Sequence, residues 1–291
     1  MSMEAWFADT AVVSALVGLA TGALVPDLVR RIPEPQEAAE ETSGESRPGP
    51  VTERTIGSPG REIGGEMPPG HDDSRVTTEQ DAVVPAAGSA MPVPDVPETK
   101  EPYTKIAQLP GLRWKAAVAT AVVAGLLGWR VGWSPGLPLL LYLAPVGIAL
   151  ALVDWRTRLL PTKVIAPSYA VVVLLSVVAA WAAGDWDALV RAGWGWLVAG
   201  GTFFVLWFVY PKGMGYGDVR LSGVLGIALG WFGWSELVTG VYAGFLLGGV
   251  GGLLLSALRI VDRKAYPFGP FMLVGALLGV LLGPYVASWY V

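Results

Sequence analysis

Eight runs of about 17 to 23 mostly apolar residues occupy positions 8–28, 113–131, 137–153, 164–183, 192–210, 219–235, 237–258 and 269–289. A helix rises about 1.5 Å per residue, so each run is close to the ~30 Å hydrocarbon core of a bilayer. Inside that core only helices and closed barrels satisfy the backbone's hydrogen bonds, and continuous runs of this length read as helices. The expectation is an all-α polytopic membrane bundle of about eight transmembrane helices. The alternative, buried helices of a water-soluble protein, needs a polar shell, and a chain that is 53% hydrophobic and 15% charged does not contain one.

The formal net charge of −4 is an average over two unlike materials. Residues 32–102 hold fifteen Asp or Glu against five Lys or Arg, together with twelve of the 23 prolines, and the rest of the chain holds nine acids against fifteen bases. The acidic stretch has few aromatics and no long aliphatic run, so it buries too little apolar surface to offset chain entropy. The expected organisation is an N-terminal anchor (1–31), a disordered acidic Pro-rich linker (32–112) and a seven-helix membrane domain (113–291).

Basic residues orient the bundle. With the N-terminus outside, Arg30, Arg31, Lys105, Arg113, Lys115, Arg156, Arg158, Lys163, Lys212, Arg220, Arg259, Arg263 and Lys264 fall inside, and only Arg130 and Arg191 fall outside. The linker is then cytoplasmic. The first run reads as an anchor, because Glu4 and Asp9 replace the positive leading segment of a cleavable signal peptide. Tryptophans such as Trp114, Trp129, Trp155, Trp181 and Trp289 lie near run ends, as an interfacial belt requires. Glycines at four-residue spacing, Gly240, Gly244, Gly248 and Gly252 in one run and Gly275, Gly279 and Gly283 in another, mark helix faces open to close backbone approach.

The chemistry is bounded by what is missing. There is no Cys and one His, His71, so thiol nucleophiles, Ser-His-Asp catalysis and His or Cys metal clusters are excluded. Among the acids of the membrane part, Glu4, Asp9, Asp185, Asp187 and Glu236 fit solvated outer positions, Asp262 lies in a basic loop, and Asp27 closes the first run. Asp154 and Asp218 both fall at the inner face. Singly, an interfacial charge accounts for Asp154 and a helix cap for Asp218. As a pair they form one of the few hydrolytic devices left: two carboxyls sharing a proton, one taking a proton from water and the other polarising an amide. Gly213, Gly215 and Gly217, just before Asp218, suit close approach of backbone to a substrate.

At these residues the chain resembles the type 4 prepilin peptidases, membrane aspartic proteases of the GxGD class. Gly215-Tyr216-Gly217-Asp218-Val219-Arg220-Leu221 resembles the family's GxGD segment, and Asp154, Thr157, Leu160 and Pro161 resemble its other aspartate motif, with Thr162 where the family usually has an amide or acid. Pro267, Phe268, Gly269, Pro270 and Phe271 form a third similarity, and Gly22-Ala23-Leu24 with Arg31-Ile32-Pro33 a fourth. The resemblance implies Asp154 and Asp218 as the catalytic pair. Thr157, Pro161, the three glycines, Arg220 and the 267–270 segment then belong to the active-site loops or substrate contacts. It also implies removal of a basic leader from a prepilin or pseudopilin at the cytoplasmic face of the inner membrane, with no cofactor, no metal and no nucleic acid. Many family members carry paired CxxC motifs between the first two spans, associated with N-methylation, and this Cys-free chain is therefore expected to be a peptidase only. The rival readings are another GxGD intramembrane protease and a non-catalytic transporter or scaffold.

Overall fold

A computed structural model of the protein describes residues 3–34, 101–211, 214–258 and 267–288. Expectations placed on Lys212, Gly213, Arg259, Asp262, Arg263, Lys264, His71, Trp289 and residues 35–100 of the acidic stretch lie outside the described residues.

Ten helices and no strand make up the described residues: α1 (Met3–Gly22), α2 (Val25–Arg30), α3 (Tyr103–Ala107), α4 (Leu112–Val131), α5 (Leu137–Thr157), α6 (Thr162–Ala183), α7 (Trp186–Val209), α8 (Tyr216–Phe232), α9 (Trp234–Ala257) and α10 (Gly269–Ala287). Each of the eight apolar runs is helical. Six segments, Phe7–Arg30, α4, α5, α6, α7 and α10, are long and apolar enough to cross a membrane. Large apolar side chains face outward along them, among them Leu16, Leu174, Val178, Trp181, Val205 and Phe208. In water such a surface is a liability, whereas in a bilayer it is the side that lipid covers. The protein is a multi-pass helical membrane bundle.

Three antiparallel helix pairs organise the bundle, and each is built on small residues. Along α1 and α4, Gly18 meets Ala124, Gly22 meets Thr120, and Gly128 meets Ser14. Along α7 and α8, Gly195 lies against Gly226 and Gly230. Along α9 and α10, the two glycine rows anticipated from their spacing face one another: a Cβ on Gly275 would lie 2.4 Å from the Gly244 nitrogen, and one on Gly279 2.5 Å from the Glu236 carbonyl oxygen. Lipid supplies little hydrophobic drive for helix association, so close backbone packing of this kind holds the pairs.

α8 is the central element. It contacts α6, α7, α9 and α10, and from Asp218 to Trp231 nearly every residue is buried. Being enclosed by protein, it needs neither an apolar stripe nor full bilayer length, and its 17 residues span about 26 Å at about 1.5 Å each.

Two sequence expectations are corrected. The 32–112 stretch is not a linker to its end, because α3 is helical and Tyr103 and Ile106 are buried against α2 and α5. The prolines and acids that dominate the composition of this stretch mask the apolar Tyr103, Ile106 and Leu109 near its end. Glu236 is buried and not solvated. It stands in the first turn of α9, where α10 approaches so closely that Gly283 faces its backbone. Arg130 and Arg191, the two basic residues expected on the outer side, are both bonded to backbone carbonyls. Arg191 donates from Nε to the Gly230 carbonyl (2.9 Å) and from Nη2 to the Trp231 carbonyl (2.8 Å), closing the C-terminal end of α8. Arg130 donates from Nε to the Leu281 carbonyl (3.3 Å) and lies over the Tyr285 ring.

Candidate active site

Asp154 stands in the last turn of α5. That helix ends at Arg158, a left-handed residue (φ 55°) whose N–H donates to the Asp154 carbonyl at 2.8 Å. Pro161 then stops the chain and opens α6, its carbonyl accepting from the N–H groups of Val164 (3.0 Å) and Ile165 (3.2 Å). The corner turns Leu160 back into the bundle. A Cβ on Gly217 would lie 2.7 Å from the Leu160 Cβ, and one on Gly269 3.4 Å from its Cδ2. Leu160 thus sits between the loop that carries Asp218 and the loop that enters α10.

Asp218 is the third residue of α8. Its Oδ2 accepts from the Gly215 N–H (3.1 Å) while its own N–H donates to the Gly215 carbonyl (3.0 Å). This reciprocal pair closes the helix start in the manner of a capping box. On the other side, the Gly269 N–H donates to Asp154 Oδ2 at 2.9 Å. Both carboxylates are buried, at 4% and 7% exposure, so neither is the solvated surface charge that would make it unremarkable.

The two charges bear on each other. Asp218 precedes the apolar run of α8. Burial, and then the facing Asp154 carboxylate, push its carboxyl from 3.8 up to about 7, although the Gly215 N–H pulls the other way.

The remaining expected site residues divide. Thr157 is buried one turn beyond Asp154 and donates to the Val153 carbonyl (2.8 Å). Gly269 is close to the Asp154 carboxylate by backbone and Gly215 to that of Asp218 by its N–H, while Gly217 packs against Leu160. Arg220 turns away: it bonds Thr162 at the start of α6 and lies over the Tyr216 ring, while its carbonyl accepts from the Tyr169 hydroxyl (2.8 Å). It therefore fastens α8 to α6 and does not face the aspartates. Thr162, the position where the motif departs from its usual residue, is its partner. Pro267 is buried, Phe268 packs with Phe203 and Phe245, and Pro270 lies in the first turn of α10 on the rim of an apolar cavity of about 180 Å³ between α4, α5, α8 and α10. Gly213 lies outside the described residues. No group of three or more His, Cys, Asp or Glu gathers as a metal centre among the described residues.

Sequence reasoning missed Leu160 as the spacer between the two loops. It also missed Glu34, Glu101 and Tyr103, which gather behind α5. Their one signal was the short apolar cluster at the end of an otherwise polar stretch.

Residues 141–286, half of the chain and inclusive of both aspartates, match the family model described as Type IV leader peptidase family. Among curated proteins, the chain is 30% identical over 177 residues to a prepilin leader peptidase/N-methyltransferase of Pseudomonas aeruginosa, covering 60% of this chain and 59% of the relative. It is 30% identical over 186 residues to a protein of the same name in Aeromonas salmonicida, covering 63% and 61%. To leader peptidase HopD of Escherichia coli it is 33% identical over 154 residues, covering 50% of this chain and 92% of that protein. The chain thus spans about three fifths of the length of the two methyltransferase-named relatives and nearly all of the shorter one. No solved structure matches it. With a family model laid over half of its length and a short relative matched almost end to end, the chain belongs to the type IV leader peptidase family.

Proposed function

We propose that the protein is a membrane-embedded aspartic endopeptidase that removes the basic leader from type IV prepilins or pseudopilins. In this reading all eight apolar runs span the inner membrane, the N-terminus is outside, and Asp154 and Asp218 work at the cytoplasmic face. The observation that carries it is the enclosure of two buried carboxylates, delivered by the end of α5 and the start of α8, inside the region shared with the leader peptidase family.

Each carboxylate commits Oδ2 to a backbone N–H, which fixes its plane and leaves Oδ1 for the reaction. One ionised carboxyl takes a proton from water as the water attacks the scissile carbonyl. The protonated partner donates to that carbonyl oxygen, and the proton then passes to the departing amine as the C–N bond breaks. The roles belong to the pair, because coupled groups titrate together. Gly215 admits substrate backbone beside Asp218, and Gly217 makes room for Leu160.

Methylation of the new N-terminus is not part of this proposal. The relatives named for it are longer matches of which this chain covers about three fifths, and Cys is absent from the whole sequence.

The test is cleavage by the full chain in lipid, with a prepilin and an unrelated single-span protein as parallel substrates. The product masses should show leader loss from the prepilin alone. Cleavage of both substrates inside their apolar segments would place the protein among general intramembrane proteases, and cleavage of neither would leave the transporter or scaffold reading.

A further inference from the structure

Protein interiors seldom leave a void larger than a water molecule, yet α4, α5, α8 and α10 leave between them an apolar cavity of about 180 Å³. Its cause lies on α5. Ala144, Gly147 and Ala151 bring no side chain beyond Cβ to the wall that faces α10, and every other lining residue is apolar as well. No side chain there offers a hydrogen bond, so a polar ligand has nothing to hold. An apolar cavity of about 150 Å³ admits a benzene-sized group, so this one takes about one or two aliphatic side chains and not a whole helix.

The cavity is aligned with the site. Its α5 wall is the stripe Leu140, Ala144, Gly147 and Ala151, at helical spacings of three and four, and the next position on that stripe is Asp154. At about 1.5 Å per residue the wall runs for about 17 Å and stops about 4.5 Å along the axis from Asp154. Its α10 wall starts at Pro270, the residue after the Gly269 whose N–H bonds Asp154 Oδ2 at 2.9 Å. Farther along α10 the cavity reaches the lipid-facing surface at Val274, which is 47% exposed. A wider recess of about 470 Å³ between α6, α7 and α8 has no lining residue on α5 or α10. Of the two, the smaller one leads to the contact between Asp154 and Gly269.

We propose that this cavity is a docking seam for the apolar segment of the substrate: side chains of a membrane-anchored prepilin insert between α5 and α10, and the chain so held brings its scissile bond to Asp154. The inference rests on the peptidase reading, which puts the cut beside Asp154. A substrate tethered in the bilayer approaches from the lipid-facing side of the bundle, and the seam opens there at Val274 and ends at Asp154. A lipid acyl chain suits the same apolar walls, but nothing in its chemistry calls for alignment with a carboxylate.

The test uses the absence of Cys from the chain. Val274→Cys at the mouth and Val178→Cys on the exposed face of α6 are each combined with Asp154→Asn, placed in lipid, and oxidised with prepilins that carry one cysteine at successive positions of the apolar segment. Val274→Cys should cross-link about tenfold more than Val178→Cys, with maxima about three to four positions apart. In the otherwise unaltered chain, Ala144→Leu fills the cavity at a distance of about 15 Å along α5 from Asp154. It should raise the KM for prepilin about tenfold with kcat within about twofold. Gly193→Leu fills the other recess, where nothing lies within 4 Å of the added Cβ, and should change neither constant. Equal cross-linking at Val274 and Val178, or an unchanged KM in folded Ala144→Leu, overturns the proposal, and cross-linking decides if that variant does not fold. Phospholipid that co-purifies with the unaltered chain and is lost from Ala144→Leu at unchanged KM would make the cavity an acyl-chain site and overturn it as well. Cleavage by Asp154→Asn removes the two-aspartate reading, whereas cross-linking reports docking whether or not the substrate is cut.

Discussion

Gly269 donates its backbone N–H to Asp154 Oδ2 at 2.9 Å across 115 positions of sequence, which ties the entrance of α10 to the end of α5. The same glycine has no room for a side chain, since a Cβ there would lie 2.7 Å from that oxygen and 3.2 Å from the carboxyl carbon. Gly269→Ala should therefore displace the Asp154 carboxylate. We expect leader removal to fall by about tenfold or more while the protein remains inserted and folded. A cleavage rate equal to that of the unaltered chain would show that the Gly269 contact does not fix the reactive position.

Asp218 makes a stability prediction whose sign is opposite to that of an ordinary surface carboxylate. Its carboxyl titrates at about 7 when folded against an ordinary 3.8, so the folded state binds the proton more tightly than the unfolded chain. The stabilisation from this group is complete below about 3.8 and is lost as pH rises through about 7. Asp218→Asn keeps an acceptor for the Gly215 N–H and removes the charge. Its thermal midpoint in detergent should exceed that of the unaltered protein at pH 8 and lose that advantage near pH 4, and a constant offset across the range would contradict the burial and pairing described for Asp218.

Arg191 is positioned to stabilise the opposite end of the central helix. It reaches two carbonyls at the C-terminus of α8 from partly buried surroundings, and charge-assisted bonds of this kind are worth about 1.5 to 3 kcal/mol each. Arg191→Met should lower stability by about 2 kcal/mol by chemical denaturation in detergent, with little change in KM. Unchanged stability would mean that these bonds are replaced by water or lipid headgroups.

The acidic stretch and α3 respond differently to deletion. Joining residue 35 to residue 101 retains Glu34, Glu101 and Tyr103, and we expect cleavage to survive. Extending the deletion through 108 removes Glu101 together with α3, and turnover should then drop. Equal activity of the two deletions would remove α3 from the account, and loss in the shorter deletion would give the acidic residues themselves a part, as an electrostatic attractor for basic leaders.

The sequence made the long elements legible because bilayer length and apolar continuity act within single segments. Runs such as 137–153 and 269–289 fell on α5 and α10, and the glycine rows of α9 and α10 met face to face as their spacing suggested. Asp154 and Asp218 stood out because no local role explained both. What stayed hidden depends on partners distant in the chain. Nothing near Glu236 signals that α10 will cover it, nothing near Arg191 signals the carbonyls of α8, and the place of α3 is visible only once Glu34 accepts from the N–H groups of Tyr103 and Thr104. Arg220 illustrates the converse: the resemblance implied a place among the active-site loops or substrate contacts, and its guanidinium bonds Thr162 and lies over the Tyr216 ring.

The central claim is that one proton shared between Asp154 and Asp218 does the work of hydrolysis. Its most direct measurement is the mass of a prepilin after incubation with purified Asp154→Asn and Asp218→Asn variants in lipid, each first shown to be folded. The account predicts that both variants leave the leader attached, while the unaltered chain removes it. Leader-free product from either variant at a rate near that of the unaltered protein would contradict it.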